Sequence, residues 1–251
     1  MSTSKPGEFS TGIRKRLEAV PLIGKLLSRI IALPNPFFHF RSSPSAKAYR
    51  KVLNSVLAEN PKAKLLNIGS RTGRPEFVNL DIEDHGNASI IGDAAAMPIE
   101  DNTFDFIENV AVVEHVRDPQ AVARECYRVL KPGGKVFVSC PFFQVFHPDP
   151  IDMQRYTVEG LANLFGQFTC IERGVELGPS TAACQIIRDY LATLVSFNSN
   201  ALYNAAQIVF GAMLYPIKFL DYFLVHSKFA YMMCSSVYFV GVKEPAKPAK
   251  D

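Results

Sequence analysis

The stretch 65-LLNIGSRTGRPEFVNLDI-82 places two apolar runs on either side of a short polar turn, and the second run ends close to an acid. The turn is close to a G-x-G-x-G pattern: Gly69 and Gly73 hold the outer glycine positions, whereas Arg71 stands at the middle one. Only seven residues separate Gly69 from Phe77, and a helical crossover between parallel strands needs about a dozen or more. We therefore expect two neighbouring strands that are joined by a bare loop instead of a helix.

Outward from this stretch, the chain alternates between strand-like and helix-like segments. The strand-like runs are 64–69, 77–82, 88–93, 104–109, 135–140, 168–177 and 235–243, and the helix-like segments of the same region are 46–57, 118–130 and 157–166. Several of the strand-like runs are apolar almost throughout, as expected when helices cover both faces of a sheet. The alternation predicts an α/β protein with a doubly wound, mainly parallel seven-stranded sheet.

The best-defined helix is predicted for 118-DPQAVARECYRVL-130. Asp118 is a good N-cap, and Pro119 suits the first helical position because its missing N–H would have no partner there. The run 131-KPGG-134 is predicted to stop the helix and turn the chain, since proline continues a helix poorly and glycine readily adopts positive φ.

The cysteine content and the hydropathy pattern bear on the compartment. The chain has five cysteines and no C-x-x-C pair, which favours reduced thiols in a reducing compartment. Its first residues lack the apolar segment and cleavage site of a secretory signal. The most apolar segment, 201-ALYNAAQIVFGAMLYPI-217, is uncharged but short for a membrane span. These features predict a cytoplasmic protein without a transmembrane helix.

The N-terminal part of the chain is basic. Residues 1–50 contain nine Lys and Arg against two Glu, whereas the rest of the chain contains 18 bases and 22 acids. Apolar residues recur at helical spacing from Ile13 to Ile31, so residues 11–33 are predicted to form a basic amphipathic helix within an arm and linker of residues 1–45. This helix either contacts a membrane surface or packs on the body of the protein. A basic arm before a mildly acidic body argues against specific nucleic-acid binding.

Three further parts follow the arm. Residues 46–177 and 235–243 carry the strand–helix pattern and form the predicted core domain. The segment 178–234 interrupts this core with a largely helical, apolar and aromatic insertion, and residues 244–251 form a tail. Three interpretations of the insertion stay open: a lid over a substrate, a homodimer interface, or an element that rests on a membrane surface.

Acidic side chains stand where two of the predicted strands end. In a doubly wound sheet, ligands bind at the carboxyl ends of the strands near the switch point. Asp81 ends the second strand and Asp93 ends the third. A carboxylate after the second strand can accept hydrogen bonds from ribose hydroxyls, and one after the third can accept from an adenine amino group. The pattern indicates a nucleoside site.

Three motifs carry a resemblance to a known family: 92-GDAAAMPIEDNTFDFI-107, 113-VEHVRDP-119 and 128-RVLKPGGKVFVSCPF-142. Their order and spacing resemble the class I S-adenosylmethionine-dependent methyltransferases, in the branch of small-metabolite and glycan- or lipid-associated enzymes. The likeness extends more loosely over residues 62–243, apart from the insertion. It implies a Rossmann-like fold, S-adenosyl-L-methionine as cofactor, and methyl transfer to an oxygen or nitrogen of a small or lipid- or glycan-linked acceptor.

The resemblance also implies which residues bind the cofactor. They are Asn67, Gly69, Ser70, Asp81, Ile82, Asp93, Ala94 and Asn109. By this likeness, Gly69 and Ser70 approach the methionine part of the cofactor, Asp81 binds the ribose, and Asp93 with Ala94 binds the adenine.

The chain departs from the family pattern at the first turn. Asn67 stands where an acid is usual, Arg71 replaces the middle glycine, and the first crossover is too short for its helix. These departures keep a second hypothesis open, namely a non-catalytic binding or scaffold protein that has the same fold.

Methyl transfer is an in-line displacement that needs alignment and the exclusion of water, and a nearby base helps when the nucleophile carries a proton. His147 and His115 are the candidate bases above the cofactor. We expect Asp152 to orient a histidine, and Arg155 and Tyr156 to hold a polar or anionic acceptor. The other interpretation is that these last three residues only order the loop before the next helix.

No metal set is predicted. His115, Cys126, Cys140 and His147 lack the spacing of a zinc site. The acids at the strand ends are better explained by a nucleoside than by magnesium.

Overall fold

The structure is a computed structural model of the chain, and it describes residues 43–69, 73–148 and 150–245. The amphipathic helix predicted for residues 11–33 lies outside these ranges, as do Ser70, Arg71 and residues 246–251 of the tail. The predictions for these residues stay predictions.

Within the described residues, seven strands form one sheet in the order β3-β2-β1-β4-β5-β7-β6. They are β1 Leu65–Ile68, β2 Val78–Asp81, β3 Ile90–Ile91, β4 Phe104–Val110, β5 Leu130–Pro141, β6 Thr169–Leu177 and β7 Ser236–Val242. Neighbouring strands pair in parallel except at β7, which is antiparallel to both β5 and β6. The predicted mainly parallel, Rossmann-like sheet is confirmed.

Helices cover both faces of the sheet. They are α1 Ser43–Glu59, α2 Pro119–Val129, α3 Val158–Leu164, α4 Pro179–Ser196, α5 Asn200–Leu214 and α6 Asp221–Leu224, with 3-10 helices at Val113–His115, Tyr215–Leu220 and Ala230–Met232. On one face, α1 packs against Phe106, Phe137 and Tyr238. On the other, α2 and α3 pack against a larger apolar cluster that includes Ile107 and Val138. The polar strand ends are therefore held on a sheet that is buried on both sides.

The described residues between β1 and β2 contain no helix, as the length of this connection predicts. Because crossovers are right-handed, a helix here would cover the face opposite α2. On this face, buried Asn79, Asn67 and Glu108 lie side by side across β2, β1 and β4. Arg74 contacts this polar row, since its Nη2 donates to Glu108 Oε1 at 2.8 Å and its Nη1 donates to Tyr49 Oη at 3.2 Å. Hydrogen bonds from the loop and α1 thus replace part of the contacts of the missing helix.

The segment after α2 differs in one respect from the expectation. The N-cap is as predicted, because Asp118 Oδ1 accepts the Ala121 N–H at 2.9 Å. The run 131–134, however, is the beginning of β5 and not a separate turn. Gly133 has a positive φ of 81° and donates its N–H to Lys243 O at 2.7 Å. Pairing with the chain after β7 therefore extends the ladder through the two glycines.

The insertion of residues 178–234 is helical, as predicted. Its two long helices, α4 and α5, form a hairpin that leads through short helical turns to β7. Among the described residues, no helix combines the length and the apolar character that a membrane crossing requires.

Candidate active site

A cleft of about 550 Å³ opens at the carboxyl ends of the first three strands, and this volume lies within the ~300–1,000 Å³ typical of small-molecule sites. Six of the predicted site residues line it, namely Gly69, Asp81, Ile82, Asp93, Ala94 and His115. The strand ends and their turns form one wall. The other wall consists of the 3-10 helix Val113–His115, the beginning of α2, and the loop residues Pro150 and Ile151.

Gly69 closes the end of β1 in a conformation that requires glycine. Its φ is 77°, and its N–H donates to Leu80 O at 2.9 Å. A Cβ built at this position would collide with the side chain of Val112, which also lines the cleft. Glycine is therefore required here by the positive φ and by the close contact with Val112.

Asp81 and Asp93 open onto the same cleft from neighbouring strand ends. The Gly92 N–H donates to Asp81 O at 2.9 Å, which holds the two turns together. Each carboxylate accepts a hydrogen bond from the backbone two residues later: Glu83 N to Asp81 Oδ1 at 3.2 Å, and Ala95 N to Asp93 Oδ1 at 2.8 Å. These bonds orient the two side chains, and no hydrogen bond to either Oδ2 atom comes from the described residues. We call Gly69, Asp81 and Asp93 the cofactor end of the cleft.

Two of the predicted cofactor residues do not line the cleft. Asn67 is buried, and its Nδ2 donates to Asn79 Oδ1 at 3.0 Å within the polar row. Asn79 in turn holds the loop, because its Oδ1 accepts the Arg74 N–H and its Nδ2 donates to Arg74 O, both at 3.0 Å. Asn109 is fully buried beside the thiol of Cys126 in α2. The fold thus places both amides within the protein interior.

Beside the cleft, which His115 lines, the fold brings together Glu114, His115 and His147, and we call this cluster the histidine end. Glu114 Oε1 lies 3.7 Å from His115 Nε2 and 4.0 Å from His147 Nε2, and the two imidazole rings meet edge to face at 5.3 Å. Glu114 is completely buried, and its carboxylate oxygens have no hydrogen-bond partner among the described residues. Burial raises the pKa of Glu114 to about 8.

Asp152 and Arg155 support the loop that carries His147. The Arg155 guanidinium donates to both oxygens of Asp152, at 2.7 Å for Nη2 to Oδ2, and it also donates to Val145 O at 3.2 Å. The His147 N–H donates to Asp152 Oδ2 at 2.8 Å. The hydrogen bonds from Arg155 lower the pKa of Asp152 to about 2. Asp152 therefore stays ionised and fixes the position of His147.

Tyr156 lies away from the cleft. It packs against the larger apolar cluster, and its hydroxyl donates to Gln154 Oε1 at 3.2 Å. Burial raises its pKa to about 12. These contacts agree with the interpretation in which Tyr156 orders the loop before α3.

The sequence did not single out Glu114 as a candidate site residue. The signal was present in the motif 113-VEHVRDP-119, where an acid and a histidine stand together. Neither the motif nor its spacing shows that the acid is buried or that His147, more than thirty positions away, comes within 4.0 Å of it. Pro150 and Ile151 were also missed as parts of the wall.

Part of the chain is similar to known proteins. Residues 45–138 match the family described as "Methyltransferase domain". The ubiquinone/menaquinone biosynthesis C-methyltransferase UbiE of Ruegeria sp. is 29% identical over 119 residues, which cover 37% of this chain and 48% of that protein. The ubiquinone biosynthesis O-methyltransferase of Pseudomonas putida is 56% identical over 36 residues, or 14% of this chain and 16% of that protein. The predicted methyltransferase class is thereby confirmed for the matched segment.

Each relative extends beyond the matched region. The chain spans about half the length of the first of these relatives and less of the second. Among solved structures, the [4+2]-cyclase SpnF is 16% identical with a TM-score of 0.46, covering 80% of this chain and 82% of that one.

Proposed function

We propose that the protein is an S-adenosylmethionine-dependent methyltransferase that transfers a methyl group to an oxygen or nitrogen of its acceptor. The observation that carries this proposal is that Asp81 and Asp93, from neighbouring strand ends, open onto one cleft inside the segment that matches a methyltransferase domain. The cleft, at about 550 Å³, is large enough for a nucleoside that bears an amino-acid side arm.

The residues at the cofactor end fit an adenosine. Asp81 presents a carboxylate at the end of β2, where ribose hydroxyls can donate to it. Asp93 presents a second carboxylate in the neighbouring turn, where the adenine amino group can donate to it. Ala94 is buried and Ile82 is exposed in the cleft, so both offer apolar contact to the base. Gly69 lines the same cleft at the end of β1, where we place the methionine part. The cofactor supplies an electrophilic methyl group on a sulfonium.

The histidine end can complete the transfer. The bound cofactor would supply its methyl group to a lone pair of an acceptor held at this end. The proton of an acceptor hydroxyl or amine then needs a base. His147 Nδ1 lies against Val145 O and His115 Nδ1 against Ile151 O, and these contacts favour the tautomer in which Nε2 carries the lone pair that would accept this proton.

Calorimetry with S-adenosylhomocysteine tests the cofactor site without knowledge of the acceptor. We expect micromolar binding to the full chain, weakened by about 10- to 100-fold in Asp81→Ala, because each lost hydrogen bond to a charged group is worth roughly 1.5–3 kcal/mol. Asp93→Ala is expected to act in the same direction. The matched control is Asp84→Ala, which removes an exposed acid outside the cleft whose Oδ1 only caps the Gly86 N–H.

The competing hypothesis is a non-catalytic protein of the same fold. It is motivated by Asn67, Arg71 and the missing first helix. A chain that binds no S-adenosylhomocysteine at millimolar concentration would favour this hypothesis over the enzyme.

We further propose that the acceptor is reached at a membrane surface, because the α4–α5 hairpin is polar inside and apolar outside. Asp189 of α4 accepts hydrogen bonds from Tyr203 and Gln207 of α5, at 2.6 Å from Tyr203 Oη. Below the hairpin, Asp221 accepts the backbone N–H groups of Ser180 and Thr181 at 2.8 and 2.9 Å. The polar groups of the insertion thus face its interior.

The outer surface of the insertion is almost without charge. Its five charged residues are Arg188, Asp189, Lys218, Asp221 and Lys228, and only Lys228 is exposed. Large apolar and aromatic side chains cover the outside, among them Leu194, Phe197, Val209, Met213, Phe219 and Phe223. An apolar surface of this extent indicates a partner, and mixed aliphatic and aromatic side chains suit the lipid–water interface. The basic residues 1–50 would add attraction to anionic lipid.

Vesicle flotation tests this surface. We expect the full chain to float with vesicles of phosphatidylcholine and phosphatidylglycerol, and the double variant Val209→Glu/Met213→Glu to remain at the bottom. The control is Ile171→Glu, which places the same charge on an exposed apolar position of β6 outside the insertion. The wild-type chain could instead fail to float and form a dimer in light scattering that the double variant abolishes. This result would show that the surface binds a second copy of the chain and not lipid.

A further inference from the structure

The histidine end of the cleft has the composition of a metal site, although no metal was expected from the sequence. We propose that Glu114, His115 and His147 bind one divalent transition-metal ion of the zinc class. Metal binding itself does not depend on the proposed methyltransferase function. Only the role of the metal in methyl transfer rests on that function.

The distances among the three side chains are close to those of a coordination sphere. One ligand atom from each residue lies within 4.8 Å of the other two. The carboxylate oxygen is 3.7 Å from one imidazole nitrogen and 4.0 Å from the other. In a tetrahedral zinc site with bonds of about 2.0–2.1 Å, neighbouring ligand atoms lie about 3.3 Å apart. Movements of up to about 1 Å per side chain would bring the three ligand atoms to this spacing.

Both imidazoles are already held in the form that binds metal. His115 Nδ1 contacts Ile151 O, and His147 Nδ1 contacts Val145 O at 2.9 Å. A carbonyl oxygen can only accept a hydrogen bond, so it favours the tautomer with the proton on Nδ1 and a lone pair on Nε2. For His147, Nδ1 also lies 3.4 Å from the donor Arg155 Nη2, and its contact with Val145 O is the shorter of the two. These two Nε2 atoms are the ones that face Glu114. Fixing Nδ1 by an outer hydrogen bond is what orients metal-binding histidines in general.

The carboxylate of Glu114 has no other function in the described residues. It is fully buried, and neither oxygen has a hydrogen-bond partner there. An unpartnered buried carboxyl group is rare because of its desolvation cost. The nearby charges of Asp152 and Arg155 compensate each other through their ion pair. A cation between Glu114 and the two histidines would therefore supply the interaction that the carboxylate lacks.

The ligand set defines the class of ion. Two imidazole nitrogens and one carboxylate oxygen suit zinc and neighbouring transition metals, whereas magnesium and calcium prefer oxygen ligands. Three protein ligands leave a coordination position open, as in catalytic sites. Because His115 lines the cleft, this position would be accessible to an acceptor hydroxyl or amine. Because the ion would occupy both Nε2 atoms, it would act in place of a histidine base: it would lower the pKa of such a group, whose proton would then pass to solvent.

Titration of the chelator-treated full chain with zinc chloride tests the site directly. We expect one ion per chain by calorimetry, and Co²⁺ in place of zinc should give the visible absorption of a four- or five-coordinate site. Glu114→Gln and His147→Ala are each expected to weaken zinc binding by about 100-fold or more, because each removes a metal ligand. Mutations of residues that only hydrogen-bond to a ligand already reduce metal affinity by about 10- to 100-fold. Magnesium is expected not to compete.

The control variant is His226→Gln, which removes an exposed histidine of the insertion and should leave the zinc affinity unchanged. Circular dichroism of each variant shows whether it is folded, and His147→Ala, at a partly exposed position, gives a second test if Glu114→Gln does not fold. Absence of stoichiometric zinc binding, or binding equally strong in both ligand variants, overturns the proposal. Cofactor binding is measured separately with S-adenosylhomocysteine, so failure of the metal site and failure of the methyltransferase proposal give different results.

Discussion

The cofactor end and the histidine end of the cleft place carboxylates in opposite environments. Asp81 and Asp93 are partly or fully exposed, and each is oriented by a backbone N–H two residues later in its own turn. Glu114 is buried, has no hydrogen-bond partner among the described residues, and meets His147 from a distant part of the chain. The first end is built from local turns on a parallel sheet, and the second from packing between separate loops. The comparison teaches that two neighbouring groups of candidate site residues can depend on different parts of the sequence.

The largest expected effect is at the histidine end. His147→Ala removes a base or a metal ligand, and we expect transfer of a labelled methyl group from the cofactor to a lipid and metabolite extract to fall by about 100- to 10,000-fold. The affinity for S-adenosylhomocysteine should stay within about twofold, because His147 does not line the cofactor end. A parallel loss of cofactor affinity would show that the two ends are not separable.

The next effect is at the cofactor end. Gly69→Val introduces a side chain where φ is positive and where Val112 leaves no room. Strain of about 1–3 kcal/mol and displacement of the turn should weaken S-adenosylhomocysteine binding by about 100-fold. Gly86→Val is the matched control: Gly86 also has a positive φ, but open space surrounds its Cβ position and it lies outside the cleft. Equal losses in both variants would mean that strain, and not the approach of the ligand, explains the result.

The smallest effect is expected at Asp118, an acid of the cleft wall that also caps α2. Asp118 caps α2 through the Ala121 N–H, so Asp118→Ala should lower the free energy of unfolding by about 1 kcal/mol. Because its carboxylate is already engaged by the helix, we expect little change in cofactor affinity. Urea denaturation measures the first quantity and calorimetry the second. Unchanged stability together with weaker cofactor binding would indicate that Asp118 contributes to cofactor binding and not to the stability of α2.

The parts of the molecule that the sequence predicted well are those set by local pattern. The apolar runs gave the strands, the strand ends located Asp81 and Asp93, and the short first connection gave a loop instead of a helix. The family resemblance could not show that Asn67 binds Asn79 in a polar row, because that row exists only where the crossover helix is missing. It also could not show that Asn109 faces α2, because the side to which a strand residue points depends on register.

The histidine end was not accessible to pattern reasoning for a related reason. Spacing rules for metal sites assume ligands that lie near one another in sequence. Here Glu114 and His115 lie on a short 3-10 helix, and the ion pair of Asp152 with Arg155 holds the loop that brings His147 to them. Only the folded sheet brings these segments together.

A crystal structure of the full chain with S-adenosylhomocysteine tests the central claim most directly. The account predicts adenosine in the cleft, with ribose hydroxyls within about 3 Å of the Asp81 carboxylate and the adenine amino group within the same distance of Asp93. It also predicts that the sulfur faces His115 and His147. A cleft filled by the side chain of Arg71, or a ligand bound away from both aspartates, would contradict the account.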